Sequence, residues 1–180
     1  MSGAAEPTAV RVLETPRLWL RQLATADAPF ILRLVNEPSW LANIGDRGVR
    51  TLADACRYIE TGPVEMYGRL GFGLYCVGLR DAEAPIGICG LLKRDTLEDV
   101  DLGFAFLPEH WGRGYAREAA AAVVAHGWAA LGLVRIVAII SQHNDASRRV
   151  LEAIGFVEER PLRLGTANDE VRLFGARAPR

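Results

Sequence analysis

One strand–helix–strand pattern in the second half of the chain constrains the fold more than any other feature. Residues 100–107, VDLGFAFL, have strand character and lead through a turn with two glycines into an alanine-rich helical pattern over residues 113–131, which Gly132 is placed to end. Residues 134–140, VRIVAII, are apolar on both faces, which is typical of a strand buried from both sides. Because strand, helix and strand in this order form a right-handed crossover, the two strands are predicted to be parallel.

The remaining segments add antiparallel strands and further helices. Residues 17–23 alternate apolar and polar side chains, as a half-buried strand does. Three strand patterns, GFGLYCVGL, APIGICGLL and VDLGFAFL, are separated by polar, turn-prone residues and therefore predict an antiparallel meander. Helical patterns cover APFILRLVNE, which Pro38 ends, TLADACRYIETG, which stops near Gly62-Pro63, and NDASRRVLEAIGF; strands are predicted from Phe156 and at EVRLFGA. The predicted fold class is mixed α/β, with helices packed on a central, largely antiparallel sheet.

Composition and charge exclude several classes of function. The 21 Lys and Arg residues nearly balance the 22 Asp and Glu residues, so no broad nucleic-acid or membrane surface is expected. Cys56, Cys76 and Cys89 are far apart and show no C-x-x-C spacing, which favours a reducing cytoplasm over a disulfide scaffold or a zinc site. The N-terminus lacks the features of a signal peptide, and no apolar run is long enough to span a membrane. We expect a cytoplasmic protein without a metal, with a flexible leader at residues 1–11 and a single domain at residues 12–180.

The turn HWGRGYAREA supplies the first candidate binding site. A helix N-terminus carries unpaired N–H groups and about half a positive charge, which together favour an anion. Gly112 and Gly114 have no side chains that would keep a phosphate away, and Arg113 adds charge. A tight strand-to-helix turn that binds nothing explains the same residues equally well. A dinucleotide-binding fold is a worse match, because Arg117 replaces the third glycine of G-x-G-x-x-G and no acidic residue closes the next strand.

The order of these elements resembles the GNAT acetyltransferase superfamily. The matching segments are DLGFAFLPE, HWGRGYAREA, VRIVAII and NDASRRVLEAIGF, and the match is closest to the branch that is similar to the ribosomal-protein N-terminal acetyltransferases. TPRLWLRQL and PIGICGLL also fit that branch, so the resemblance covers roughly residues 12–160. It implies a single GNAT-like domain whose sheet has helices on both faces and whose two neighbouring parallel strands splay apart to admit acetyl-coenzyme A as a co-substrate.

The resemblance also implies which residues would bind this co-substrate. The family's pyrophosphate loop, Gln/Arg-x-x-Gly-x-Gly/Ala, falls on residues 111–116, with Trp111 in place of the usual Gln or Arg. Because main-chain N–H groups hold much of the ligand, this departure affects the motif more than the chemistry. A strand pairs with the pantetheine arm, and Asn144 bonds further along. The cofactor-binding residues implied in this way are Phe104, Ala105, Phe106, Leu107, Gly112, Arg113, Gly114, Tyr115, Ala116, Asn144 and Ser147.

A catalytic role is implied for Ser147. Many GNAT enzymes carry a tyrosine acid four residues before the Gly-Phe pair of the last helix, and here that position is Leu151. The branch that this sequence resembles uses instead a serine one turn after the asparagine, which is Ser147, and its hydroxyl could hydrogen-bond the departing thiolate. Judged from the residues alone, Ser147 is more simply a first-turn helix residue that bonds locally, and Asn144 a plain N-cap.

The general base is predicted to be Asp101. Strand alternation places Asp101 on the same face as Gly103 and Ala105 in an otherwise apolar strand, so its carboxyl should have a raised pKa, as a base for an amine requires. A strand-end charge that faces water is an equal alternative. The base could also be His110, Glu98 or a water molecule, and His143 could relay protons.

These expectations combine into one function and one alternative. The chain is predicted to be an N-acetyltransferase that transfers the acetyl group of acetyl-coenzyme A to a primary amine, either a protein N-terminus or a small molecule, by direct attack in a ternary complex. The alternative is a non-catalytic acyl-coenzyme-A-binding module with a regulatory or interaction role on the same fold. The first two helices normally shape the acceptor pocket in this family, where Trp40 and Tyr67 are either pocket or core residues. For the oligomeric state, a homodimer is left as an alternative to a monomer.

Overall fold

The main feature of the computed structural model, which describes residues 10–164 and 170–180, is a sheet of eight strands. Residues 1–9 of the predicted leader lie outside the described residues. The strands are β1 (Arg11–Glu14), β2 (Leu18–Gln22), β3 (Leu74–Leu79), β4 (Pro85–Leu92), β5 (Val100–Phe106), β6 (Arg135–Ser141), β7 (Val157–Arg163) and β8 (Glu170–Arg177). They lie in the order β1-β2-β3-β4-β5-β6-β8-β7, and only the β5–β6 pair is parallel among these strands. The predicted mixed, largely antiparallel sheet is confirmed, whereas the short edge strand β1 was not predicted.

Six α-helices connect the strands of the described chain. They are α1 (Ala28–Leu34), α2 (Pro38–Asn43), α3 (Leu52–Ile59), α4 (Glu65–Leu70), α5 (Tyr115–Ala129) and α6 (Asp145–Ala153). Pro38, which was expected only to end a helix, also starts α2, because a proline has no N–H to lose in a first turn. None of the helices in residues 10–164 and 170–180 combines the length and the apolar character that crossing a bilayer requires.

The prediction that the second helical pattern stops near Gly62-Pro63 is wrong. A π-helical turn, Glu60–Val64, contains Pro63 and connects α3 directly to α4. The altered hydrogen-bond register of such a turn accommodates a residue that cannot donate a backbone hydrogen bond. The chain stays helical until Gly71, whose φ of 77° ends α4 in the left-handed region.

Helices cover both faces of the sheet, as the family resemblance implied. Alternate residues of β2 point in opposite directions: Leu18 and Leu20 join the core that includes Ala119 and Ala120 of α5, whereas Trp19 joins the core on the other face. That second core is built mainly by α1 and α3. We call these the α5 face and the α1–α3 face of the sheet.

The parallel strands β5 and β6 separate soon after they start. Their pairing is limited to two residue pairs, Val100 with Ile136 and Asp101 with Val137. On its other side β5 stays paired with β4 along its length, from Asp101 to Phe106. The crossover helix α5 connects the end of β5 to the start of β6. The predicted splayed parallel pair is therefore confirmed, and it opens a cleft toward the carboxyl ends of both strands.

Candidate active site

The cleft between β5 and β6 has a volume of about 690 Å³ and gathers most of the predicted site residues. Those that line it are Asp101, Phe104, Ala105, Phe106, Gly112, Gly114, Tyr115, Ala116, Asn144 and Ser147. Arg113 does not line it, although its main chain belongs to the same turn. The structure corrects the placement of Leu107: its side chain is buried in the α1–α3 core, its amide donates to the Ile86 carbonyl and its carbonyl accepts from the His110 amide. The side chain and the amide of Leu107 are therefore already used, and Leu107 does not line the cleft.

The turn before α5 presents a row of backbone amides. Gly112 and Gly114 have φ values of 73° and 80°, in the left-handed region that a residue with a side chain enters only with strain. Within residues 10–164 and 170–180, the amides of residues 112–117 donate to no protein acceptor, and the first amide of the helix to do so is that of Glu118, to the Gly114 carbonyl. With the positive end of the 15-residue helix α5 behind them, these amides fit a pyrophosphate.

Arg17 braces this turn, and sequence reasoning assigned it no role. Its Nη1 donates to the Arg113 carbonyl over 2.8 Å, and its Nε donates to Glu118 over 2.6 Å. Its guanidinium also lies 4.7 Å from the centre of the Tyr115 ring. The arginine therefore fixes the start of α5 from the loop before β2 and adds positive charge beside the amides. The one sequence signal for a role of Arg17 is its place in TPRLWLRQL, a segment that resembles the family.

Trp111 anchors the other end of the turn. Its indole N–H donates to the Phe106 carbonyl, the last of β5, over 2.8 Å, while 54% of the side chain stays exposed. This bond ties the amide row to the strand that forms one wall of the cleft. Trp111, which departs from the family motif, thus contributes by fixing the position of the turn relative to β5.

The wall formed by β5 has a free hydrogen-bonding edge. Because β5 pairs with β6 only at Val100 and Asp101, the backbone groups that point toward β6 from Leu102 onward have no strand partner in the described chain. A sheet edge of this kind binds an extended, amide-bearing ligand by strand addition. Phe104 and Ala105, at the middle of this edge, are half-buried.

At the start of α6, Asn144 and Ser147 face the same cleft. The Asn144 side-chain oxygen accepts the Ser147 amide over 3.1 Å, so Asn144 is the N-cap, as the residue type predicted. Ser147 contributes only its backbone to this bond. Its half-buried hydroxyl makes no hydrogen bond to another protein group in the described chain and is available to a ligand.

Asp101 is buried at the closed end of the cleft. Only 1% of the residue is exposed, which excludes the alternative of a strand-end charge that faces water. The Arg94 Nε donates to both carboxylate oxygens, over 3.2 and 3.0 Å. Burial raises the pKa of the Asp101 carboxyl, and the positive charge and hydrogen bond of Arg94 oppose that rise. The net direction is upward, as a base for an ammonium group requires.

The other candidate bases divide clearly by position. His110 lines the cleft, and its buried Nδ1 is without a hydrogen-bond partner in the described chain. Glu98 and His143 are exposed and do not line the cleft. Glu37, which sequence reasoning did not consider, lines it and pairs with Arg33 at 3.4 Å. A base therefore has to be sought among Asp101, His110, Glu37 and water.

The expected acceptor side of the cleft contains Trp40 but not Tyr67. Trp40 lines the cleft, and its indole N–H donates to the Gly45 carbonyl over 3.1 Å. The Tyr67 hydroxyl instead donates to the Leu74 carbonyl and accepts the Leu23 amide, so Tyr67 is a core residue. Arg47, Tyr58 and Arg94 also line this side and were not predicted, because nothing in their local sequence marks a cleft.

A family model, the acetyltransferase (GNAT) domain, matches residues 17–157, which include all the residues that line this cleft except Leu164 and Val171. The chain belongs to the GNAT acetyltransferase family. The GNAT relative YoaA of Bacillus subtilis strain 168, named an uncharacterized N-acetyltransferase, is 32% identical over 153 residues, which cover 84% of this chain and 86% of YoaA. As a member of this family of acetyl-coenzyme-A-dependent enzymes, the chain is an acyltransferase.

Two solved GNAT structures share the fold. An acetyltransferase from Agrobacterium tumefaciens strain C58 superimposes with a TM-score of 0.79 and 25% identity, covering 99% of this chain and 100% of that one. RimL, a ribosomal L7/L12 alpha-N-protein acetyltransferase solved in complex with coenzyme A, also gives a TM-score of 0.79, at 16% identity, covering 93% and 98% of the two chains. At this identity the likeness to RimL shows the fold alone.

Proposed function

We propose that this GNAT enzyme transfers the acetyl group of acetyl-coenzyme A to a primary amine, by direct attack in a ternary complex. One observation carries the proposal: a single cleft joins the free edge of β5, the unpartnered amides of residues 112–117 and the free hydroxyl of Ser147. These are the three kinds of group that an acyl-coenzyme A and its leaving sulfur need.

The cofactor side of the cleft would bind by backbone groups. Acetyl-coenzyme A supplies an activated acetyl thioester when bound. The amides of residues 112–117 and the positive end of α5 would hold its pyrophosphate, and Arg17 adds charge next to them. The free edge of β5 at Phe104 and Ala105 would pair with the amides of the pantetheine arm. The Asn144 side-chain amide, with its oxygen held by the cap, would donate to the same ligand.

Two residues would handle the charges that the transfer creates. The Ser147 hydroxyl would donate to the sulfur as it becomes a thiolate, because it lines the cleft without a protein partner in the described chain. Asp101 would accept the proton of the ammonium group, directly or through water, since its pKa is raised and it lies on the α1–α3 face. Alignment of the two reactants could by itself contribute about 7–11 kcal/mol to lowering the barrier.

The acceptor would enter from the α1–α3 face, where α2 and α3 border the cleft. A protein N-terminus and a small-molecule amine both fit this role, because either presents a primary amine at the end of an extended group. The cleft volume of about 690 Å³ has to hold the acyl-pantetheine end and the acceptor together. Room for both at once favours direct transfer over a route in which acetyl-coenzyme A and the acceptor bind one after the other.

The test is release of free thiol from acetyl-coenzyme A against a panel of amines. The panel includes amino acids, polyamines, peptides with free N-termini and N-acetylated forms of each as controls. Thiol release that depends on a free amine, with the acetylated product identified by mass spectrometry, is the expected result. Tight binding of coenzyme A without turnover on any amine would instead indicate the non-catalytic module.

A further inference from the structure

Two arginines and a tyrosine line the acceptor side of the cleft. Arg47 follows α2, Tyr58 lies in α3 and Arg94 follows β4. Arg94 is bonded to Asp101, which precedes Phe106 by five residues along β5, a separation of about 17 Å in an extended strand. Arg94 is therefore not placed to bind a pyrophosphate that the turn after Phe106 holds.

Arg94 has guanidinium donors to spare. Its bonds to Asp101 use Nε, and within the described ranges neither Nη group has a protein acceptor. The side chain is 34% exposed, whereas Asp101 behind it is 1% exposed. The buried carboxylate thus fixes the orientation of the guanidinium and leaves its two terminal nitrogens for a ligand. A planar fork of this kind suits a carboxylate, which it can bind through two parallel hydrogen bonds.

Arg47 has no carboxylate partner in the part of the chain that the structure describes. The acidic side chains nearest in sequence are already used: Asp46 pairs with Arg50 at 2.5 Å, and Asp54 pairs with Arg57 at 3.3 Å. An arginine that lines a cleft without a partner carries a positive charge that a bound anion could neutralise.

Tyr58 lines the same cleft as the two arginines. Burial raises the pKa of the Tyr58 hydroxyl, and the positive charges of Arg47 and Arg94 both oppose that rise. The hydroxyl stays protonated at neutral pH and can donate a third hydrogen bond. Two cations and a hydroxyl thus border one stretch of cleft.

The carboxylates around this stretch are already paired. Asp101 is paired with Arg94, and Glu37, the remaining carboxylate that lines the cleft, is paired with Arg33 at 3.4 Å. The neighbouring walls are apolar, formed by side chains that include Leu34, Ile44 and Leu92. In such surroundings an anion that meets two arginines is bound more strongly than on an open surface.

We infer that the acceptor is a small molecule that carries a carboxylate next to its amine, as a free amino acid does, and that Arg47 and Arg94 bind this carboxylate while the amine points to the thioester. The inference rests on the proposed function and narrows its acceptor. A protein N-terminus is the poorer fit, because its first residue has a neutral amide where an amino acid has a carboxylate. Such an acceptor would leave Arg47 without a counter-charge and the two terminal nitrogens of Arg94 without an acceptor within the described ranges.

The experiment compares each amino acid with two analogues, its carboxamide and the amine that lacks the carboxyl group, in the thiol-release assay. For the best amino acid we expect kcat/KM to exceed that of either analogue by about tenfold to a hundredfold, the range of one or two charge-assisted hydrogen bonds. Arg47→Gln should raise KM for the amino acid by a similar factor and bring the ratio to the carboxamide close to one. Its affinity for coenzyme A should not change.

Arg57→Gln is the matched control, because Arg57 is an exposed arginine on α3 that pairs with Asp54 and does not line the cleft. It should retain the full preference for the carboxylate. The inference is overturned if the analogues react as fast as the amino acid, if Arg47→Gln keeps the preference, or if only peptides and protein N-termini are acetylated. In those cases acetyl transfer itself still stands. If no amine of any kind releases thiol, the proposed function fails as well.

Discussion

The Ser141 hydroxyl, at the end of β6, donates a hydrogen bond over 3.0 Å to the side-chain oxygen of Asn43, at the end of α2. Both residues line the cleft, and they are 98 positions apart in the sequence. The bond therefore ties the helix that borders the acceptor side to one of the two splayed strands. A side-chain hydrogen bond thus connects α2, on the acceptor side of the cleft, directly to β6.

Removing this bond should loosen the acceptor side more than the cofactor side. Ser141→Ala and Asn43→Ala should each lower the free energy of unfolding by about 1 kcal/mol and raise KM for the acceptor. The double variant should lose little more than Asn43→Ala alone, because Asn43→Ala already removes this bond together with the one from its Nδ2 to the Ser39 carbonyl. Chemical denaturation and steady-state kinetics measure the two effects. Additive losses would show that the two residues act independently.

Gly114→Val should weaken coenzyme A binding. At a φ of 80° a valine adds about 1–2 kcal/mol of backbone strain and places a branched side chain beside the amides. Gly132→Val is the matched control, because Gly132 has a φ of 66° but does not line the cleft. Calorimetric titration should show a loss of affinity for the first variant only, although both lose stability. If the wild type and a folded Gly114→Val protein bind coenzyme A with equal affinity, the pyrophosphate does not bind at this turn.

Ser147→Ala should lower kcat by about tenfold to a thousandfold while coenzyme A affinity stays nearly constant, because a bond to the developing thiolate matters mainly in the transition state. The helix should not be disturbed, since Ser147 gives only its backbone amide to the Asn144 cap. Asn144→Ala, by contrast, should cost about 1 kcal/mol of stability together with cofactor affinity. A wild-type kcat for Ser147→Ala would make the serine an ordinary helix residue.

Asp101→Asn keeps the shape of the buried side chain and removes its basic site. If Asp101 accepts the proton of the amine, the rate should fall across neutral pH and recover as the pH rises, because more of the acceptor then arrives deprotonated. Coenzyme A affinity should change little. A pH–rate profile like that of the wild type would move the search to His110→Gln and Glu37→Gln, whose side chains line the same cleft.

The same substitution has a consequence for stability. Burial raises the pKa of Asp101 in the folded protein, so the native state holds this proton more tightly than the unfolded chain does. The contribution of this carboxyl to the free energy of unfolding is full below the unfolded-state pKa and is lost as the pH rises through the folded-state pKa. Asp101→Asn should abolish that decrease in a series of denaturation curves, whatever its effect on the rate.

The fold could be predicted from the sequence because local patterns encode it. Residues 100–140 specify strand, turn, helix and strand through alternation, glycines and apolar runs, and the observed β5, α5 and β6 follow that order. The turn over Pro63 could not be predicted in this way. Its helical path depends on a change of hydrogen-bond register that a proline normally signals against.

The site could be predicted only where one short motif contains it. The amide turn and the Asn144–Ser147 pair each lie within a few residues, so their spacing is visible in the sequence. Arg17 bonds to Glu118 across 101 positions, and Arg94 meets Asp101 seven positions away only because the turn between β4 and β5 brings the two side chains together, so both act through tertiary contacts. Such contacts leave no local pattern to read, and Arg47 and Tyr58 were missed for the same reason.

The short pairing between β5 and β6 should make the lifetime of the folded protein depend on whether coenzyme A occupies the cleft. With only two residue pairs joining them, the two strands share less main-chain bonding there than at the continuous β4–β5 ladder. The pantetheine arm of coenzyme A, seated along β5, would supply hydrogen bonds that β6 does not, and a ligand at a hundred times its Kd adds about 2.7 kcal/mol of stability. Pulse proteolysis with and without coenzyme A should show slower cleavage in its presence. A cell with abundant acetyl-coenzyme A would then retain more of this enzyme in the folded form. A cell with little of it would lose more of the enzyme to proteolysis.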